Sequence, residues 1–299
     1  MGNQIASNYT EINFKMNLGV WKIHSAIQKN TNIPVMLWQL DQTNMASTNP
    51  LKSNKTKHAA MYLASVQHMR KLHHPNILKI IEVSDSKTEV AFSSETFFSP
   101  LSSLMDSLQK LDLTYIFFKI AETINFIQTE AHSHYLGLTL DSIIVDNNFS
   151  PKLIDFQWTF PINEKSVEFS YEIYRDIQLQ PPEYIQSKTF QPSSDVFLYG
   201  LTLYHCLTKS SLYGSTEKDI GNALPSLLRN IQHVPSEFYL LVKSCLSIEA
   251  TRPLFSVILE NEVFSSLEMK SLKYLDLLLT KSLQDRFVFY KGIAKQLAN

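Results

Sequence analysis

Glycine is almost missing from this chain. Seven of 299 residues are glycine, at positions 2, 19, 137, 200, 214, 221 and 292, where an ordinary protein carries roughly 7%. A loop that wraps a phosphate in backbone N–H groups needs several glycines close together, because only a residue without Cβ lets the main chain approach so near. No two of these seven lie within five residues of each other. The chain cannot build such a loop, and any nucleotide site in it must do without one.

The other proportions are those of a folded globular protein, 44% apolar and 18% charged, with material for one large domain or two lobes. A formal charge of -1 supplies no basic field of the kind that binds nucleic acid by neutralising phosphates. No stretch approaches eighteen consecutive apolar residues, and the opening MGNQIASNYTEINF is too polar for a secretory signal. Cys206 and Cys245 fall inside apolar helical patterns with no CxxC pair. They read as reduced core thiols of a cytosolic protein.

Hydrophobic period divides the chain into a β-rich front and a helical back. LGVWKIHSAI and IPVMLWQL, separated by QKNTN, read as antiparallel strands, and the polar QTNMASTNPLKSNKTK follows as an insert. His58 to Leu72 places Met61, Ala64, Val66, Met69 and Leu72 on a helix face, which Pro75 terminates before a strand from Ile77 to Val83. EVAFSSE is a further strand, and SPLSSLMDSL starts a helix with Ser99 as cap and Pro100 in its first turn. Ile116, Ile120, Ile124 and Ile127 mark a buried helix. SIIVD and PKLIDF are short strands about the turn Asn147-Asn148, followed by an irregular stretch to about residue 180. Apolar helices follow in SDVFLYGLTLYHCL, EFYLLVKSCL and SLEMKSLKYLDLLLTKSL. In the last, Leu267, Leu272, Leu275, Leu279 and Leu283 form a stripe expected to pack on the back lobe, a partner being the alternative. This order predicts a two-lobed α+β chain.

Six strings in order, HPNIL (74–78), SIIVD (142–146), LIDF (153–156), PPE (181–183), SDVFLYG (194–200) and TRP (251–253), resemble the protein-kinase signature set. The resemblance covers roughly residues 17 to 262. MGNQIASNY, VWKIH, PVMLWQLD, SSETFFSPLSSLM and the trailing SLKYLDLLLTKSLQDRFVFYKGIAKQL are further similar to the SCYL (Scy-like) pseudokinases, in particular to the branch associated with clathrin-coated vesicles. The resemblance implies a bilobal fold: an N-terminal arm (1–16), a kinase-like front lobe (17–96), a helical back lobe (97–262) and a short C-terminal helical extension (263–299). In that family the extension leads into a HEAT-type helical array. This chain stops at Asn299, so array-dependent functions are not expected of it.

Phosphoryl transfer asks for a lysine on the phosphates held by a glutamate, two metal ligands, and a carboxylate at the attacking hydroxyl. Laid on the family pattern, Trp38 stands where the lysine belongs and Ser65 where the glutamate belongs. Gly137 replaces the catalytic aspartate, and Ser142 the metal-binding asparagine. Only Asp155 survives, in Asp155-Phe156-Gln157 where the family has DFG. Losing one positioned base typically costs about 10²–10⁴ in rate, so no catalytic residue, cofactor or metal is expected. Lys22 and Asp155 are the remnants from which an atypical Ser/Thr kinase or an ATP-binding switch would have to be built with Mg-ATP. Met36 and Trp38 either plug the adenine position or point into the lobe core.

The resemblance also implies an apolar spine of Met69, Ile80, Tyr135 and Phe156 anchored by Asp195, and a buried Glu183–Arg252 ion pair. His73-His74 and His132-x-His134 lack a carboxylate or Cys at ligand spacing and read as surface or capping residues. MGNQIAS comes close to an acylation signal at Gly2 but has Ala6 where the motif asks for Ser or Thr. The function so implied is a catalytically inactive scaffold in vesicle traffic, cytoplasmic and peripheral on Golgi, endosomal or clathrin-coated membranes. Its partners would be coat or adaptor proteins, with no nucleic acid and no transmembrane span.

Overall fold

The structure, a computed structural model, describes residues 5–40, 55–84, 90–163, 179–210 and 231–297. Gly2, most of the insert after residue 41 and most of the irregular stretch before residue 180 lie outside the described residues.

The front lobe is a five-stranded antiparallel sheet of β1 (Tyr9–Leu18), β2 (Trp21–Gln28), β3 (Pro34–Leu40), β4 (Ile80–Val83) and β5 (Ala91–Ser94) in the order β1-β2-β3-β5-β4, with α1 (Lys55–Lys71) packed against it. β1 corrects the expected N-terminal arm. Only its ends, Tyr9 and Leu18, are buried, so it shows no apolar alternation and is held by pairing from Tyr9↔Gln28 to Leu18↔Trp21. Gly19, at φ 54, makes the two-residue turn into β2.

Register assigns side chains to faces, since residues directly opposite each other share one. Ile23, Trp38 and Phe92 align across β2, β3 and β5 on the inner face. Ala26, Val35, Leu37 and Ala91 lie on the outer face, under Ile5, Tyr9 and Ile12. The Tyr9 hydroxyl donates to Glu82 at 2.6 Å and lies 2.8 Å from Ser93 Oγ. Burial and that Glu82 bond push its pKa up to about 12. In α1, Met61, Ser65, Val66 and Met69 are buried, whereas Ala64, expected among them, faces solvent. The strand after Pro75 begins at Ile80, not Ile77. Ile77 instead makes an isolated bridge to Leu153, and the Leu78 N–H donates to the Leu153 carbonyl, joining the lobes.

The back lobe opens on β6 (Ser99–Pro100), which corrects the expected helix start. Ser99 pairs with Val145 in β8 (Ile143–Val145) instead of capping, and only a 3₁₀ turn over Leu101–Ser103 follows. Around α2 (Lys110–Thr129), whose four stripe isoleucines are all buried, lie β7 (Ser133–His134), β9 (Pro151–Leu153), β10 (Phe160–Pro161), α3 (Pro182–Ser187), α4 (Pro192–Thr208), α5 (Ser236–Cys245) and α6 (Phe255–Ile258). Cys206 and Cys245 are free and buried, and burial pushes both thiols up to about 12. His134 is likewise in the core, 1% exposed against Phe160, not at the surface as expected.

The leucine-striped C-terminal segment is two helices, not one: α7 (Leu267–Asp276) and α8 (Leu283–Leu297). α7 is fixed to α2 by buried Met269, by Tyr115 donating to Asp276 at 2.7 Å and by Lys119 at 3.2 Å from the same carboxylate. The chain then breaks through a 3₁₀ turn at Leu278–Thr280, and Ser282 Oγ accepts the Asp285 N–H as a new helix starts. The break scatters the stripe. Leu267, Leu275, Leu279 and Leu283 are exposed, up to 85% for Leu279, and only Leu272 packs partly on the core.

Candidate functional site

The residues singled out by pattern converge between the lobes. β3 carries Trp38 and α1 carries Ser65; Gly137 and Ser142 lie between β7 and β8, and Asp155 follows β9, its carbonyl against Gly137 and the neighbouring Ile154 N–H donating to the Ser142 carbonyl at 2.9 Å. Trp38, which the resemblance sets at a charge-bearing place, is 1% exposed in a nest of rings. It stacks on Phe92 at 5.3 Å and 11°, meets Trp21 edge-on at 6.2 Å, and reaches Phe97 in the connection between the lobes at 5.5 Å. Its indole N–H donates to Ser94 Oγ at 2.8 Å, which leaves no buried donor unpaired. Of the two readings of Trp38, the structure shows the packing one: the indole fills the lobe core and carries that core to Phe97 in the connection. Met36, 5% exposed, belongs to the same cluster.

Ser65 is buried, with Oγ 3.5 Å from the Gln157 side-chain amide. The place of the expected glutamate thus holds a neutral contact between α1 and the segment after Asp155. Beside it Tyr62 packs edge-on against Trp21 at 5.6 Å. Burial, and then the Asp155 carboxylate, raise the Tyr62 phenol well above its ordinary range. Asp155 itself is half-buried and left-handed at φ 66, just ahead of a 3₁₀ turn over Phe156–Trp158.

Gly137 has a steric reason to be glycine. A Cβ there would run into the Asp155 carbonyl oxygen and lie 3.1 Å from Tyr135 Cζ. The backbone of the surviving aspartate therefore occupies the space a side chain at 137 would need. Ser142 is fully buried and its hydroxyl is committed locally, donating to the Thr139 carbonyl at 3.0 Å and accepting the Thr139 N–H at 2.8 Å. Among the described residues no group of three His, Cys, Asp or Glu side chains could hold a metal ion.

Lys22 does not join this constellation. It pairs opposite Gln39 on the outer face, while its neighbour Ile23 pairs opposite Trp38 on the inner one. It is exposed, with Nζ 5.8 Å from the Phe14 ring centroid. The lysine that does reach the connection is Lys15, which sequence pattern missed. The register slips between Phe14 and Met16, so Lys15 is the extra residue of a bulge, the device by which a strand re-aims one side chain. Its ammonium donates to the Phe97 carbonyl at 2.6 Å, lies 4.5 Å from that ring's centroid, and has its pKa lowered by burial. Trp21 and Tyr62 were also missed as site residues. Aromatic identity marks them, but their convergence depends on the tertiary fold.

Below the site the back lobe keeps its polar anchors. Asp195 accepts the N–H of Leu136 at 2.6 Å and of Tyr135 at 3.1 Å, and Tyr135 meets Phe156 at 4.9 Å. Glu183 and Arg252 form a bidentate pair at 2.8 and 3.0 Å, completed by Ser194 Oγ on Glu183 at 2.6 Å and by Arg252 donating to the Ser193 and Ser247 carbonyls.

Residues 24–261 match the family described as protein tyrosine and serine/threonine kinase. Among curated proteins, the protein kinase domain-containing protein ppk32 of Schizosaccharomyces pombe is 22% identical over 94% of this chain and 43% of its own length. Human SCY1-like protein 2 is 21% identical over 93% of this chain and 34% of its own. Human tyrosine-protein kinase FRK is 25% identical over 71% of this chain and 45% of its own. The chain thus spans less than half the length of each of these relatives.

Proposed function

Because the chain belongs to the protein tyrosine and serine/threonine kinase family, we propose that it uses that fold as a scaffold without phosphotransferase activity, in the manner of SCYL pseudokinases in vesicle traffic. The observation that carries the proposal is Trp38. At the place of the phosphate lysine stands an indole packed against Phe92 and Phe97 and hydrogen-bonded to Ser94. Gly137 and Ser142 support the same reading, one by lacking a base, the other by having its hydroxyl committed to Thr139. Lys15 on the Phe97 carbonyl adds to it by occupying a backbone acceptor of the connection. The atypical-kinase alternative draws no support from Lys22, which lies on the far face of the sheet from Trp38.

A thermal-shift titration with ATP and Mg²⁺ tests this reading, since a ligand bound only to the folded state must raise its stability. The expected result is no shift, and none for Trp38→Lys either. A shift abolished by Asp155→Ala would give the cleft to nucleotide, and a radiolabel transfer assay would then separate a switch from a kinase. The trafficking half, with coat or adaptor proteins as partners and a cytoplasmic, membrane-peripheral location, rests on kinship with SCY1-like protein 2. Among the described residues no helix is long and apolar enough to cross a membrane. Affinity capture with the full chain and with a version ending near residue 262 tests this half. Recovery of no coat or vesicle component by either would remove it.

A further inference from the structure

We propose that a cavity at the junction of the lobes docks an acidic peptide segment of a protein partner, seating an apolar side chain of that segment beneath carboxylates met by Arg70 and Lys79. The cavity holds about 440 Å³, and Met69, Leu72, Ile77 and Ile80 form its apolar walls, a size ordinary for a ligand site. α1 and β4 contribute from the front lobe, Lys152 from β9 in the back lobe, and Glu95 from the connection between them. None of Trp38, Ser65, Gly137, Ser142 or Asp155 lines it.

Its charge is one-sided. Glu95 is the one carboxylate in its lining, and it is already engaged: Oε1 accepts the Lys79 backbone N–H at 3.0 Å and pairs with Lys152 Nζ at 3.1 Å. Lys152 also donates to the Pro75 carbonyl at 2.9 Å. That leaves the exposed side chains of Arg70 and Lys79, neither of which forms an ion pair among the described residues, above an apolar floor. The whole chain is nearly balanced at -1, so this surplus is local. Two cations round a concave apolar floor are too few to track a polyanion and suit a short segment with one or two carboxylates beside an apolar anchor. Carboxylates at such a rim set specificity and salt dependence, and the anchor supplies the buried area.

The site is separate from the degenerate cleft, so failure here leaves the scaffold proposal standing, and nucleotide binding in the cleft would leave this one standing. The test is fluorescence anisotropy of the full chain with a short fluorescein-labelled peptide in which glutamates flank a central Leu-Phe. Two control peptides carry lysines for the glutamates, or Ala-Ala for Leu-Phe. The expected result is salt-sensitive binding of the first peptide alone, weakened at least about tenfold by the double variant Arg70→Glu, Lys79→Glu. Both positions are exposed, so the variant should unfold at the same temperature as the parent, and that is checked alongside. Three outcomes overturn the proposal: no binding, equal binding of either control peptide, or binding indifferent to the double variant.

Discussion

The base of the back lobe and the cleft above it are held together in opposite ways, the one by a buried ion pair and the other by packed aromatic rings. At the base, Glu183, Arg252 and Asp195 are buried with their hydrogen bonds satisfied. In the cleft, Trp38, Ser65 and Gly137 stand where the sequence resemblance leads one to expect a lysine, a glutamate and a catalytic aspartate. A buried charge whose partner is lost is heavily destabilising, so the base can change only in concert. In the cleft Trp38 is held without any charge, by stacking on Phe92, contact with Phe97 and a hydrogen bond to Ser94.

The comparison is most directly broken at the base. Arg252→Ala leaves Glu183 buried beside Ser194 with no cation, and should lower unfolding free energy by about 3–5 kcal/mol in urea. A loss below about 1 kcal/mol would mean the base is as dispensable as the cleft's charges. A smaller effect is expected from Gly137→Asp, the substitution that would restore a carboxylate. Its Cβ must displace the Asp155 carbonyl, so a loss of roughly 1–3 kcal/mol is expected, as for other overpacked sites. No gain of phosphate transfer should accompany it. A variant as stable as the parent would show that the loop had room for a base after all.

How far the sequence could be read follows the same division. The base was legible because PPE, SDVFLYG and TRP resemble the kinase signature set, which implies where their charged residues are buried. The degenerate positions were legible as departures from that pattern. β1 was not, because its side chains are mostly solvated and its stability comes from backbone pairing with β2. Nor was Lys15, whose direction depends on a one-residue slip in register that no local pattern records. The break between α7 and α8 was hidden because the leucine period runs on through it. Buried Met269 and the pairing of Asp276 with Tyr115 and Lys119 show where the first helix is held.

Lys15 sharpens the comparison at the cleft, since it is a charge held at the connection by the Phe97 carbonyl. Lys15→Met removes the bond to the Phe97 carbonyl while keeping an apolar stem on the ring. A charge-assisted hydrogen bond is worth about 1.5–3 kcal/mol when buried, and partial solvent screening reduces this half-buried one to about 1 kcal/mol, measurable as a shift of the urea midpoint at constant slope. No shift would mean that the bulge aims the side chain without fixing the connection.

The smallest effect concerns His74, which lies where the lobes meet and stacks on Phe126 at 4.8 Å. Its Nδ1 accepts the Asn76 N–H at 3.1 Å, which requires that nitrogen unprotonated. Burial, and then Lys119 and Lys152, lower its pKa from 6.5 to about 4. A folded-state pKa below the unfolded one means that the unfolded chain takes up the proton first. His74 therefore contributes stability that is fully present above 6.5 and is lost as pH falls towards 4. Partial solvent screening holds the effect to somewhat under about 1 kcal/mol at pH 5. Buried His24 and His134 and half-buried His205, whose pKa values burial also lowers, shift the parent and a His74→Asn variant alike, so the difference between the two isolates His74. The parent should lose more stability than the variant between pH 7 and pH 5. Equal losses would place the acid sensitivity wholly in the other histidines and leave the junction of the lobes indifferent to pH.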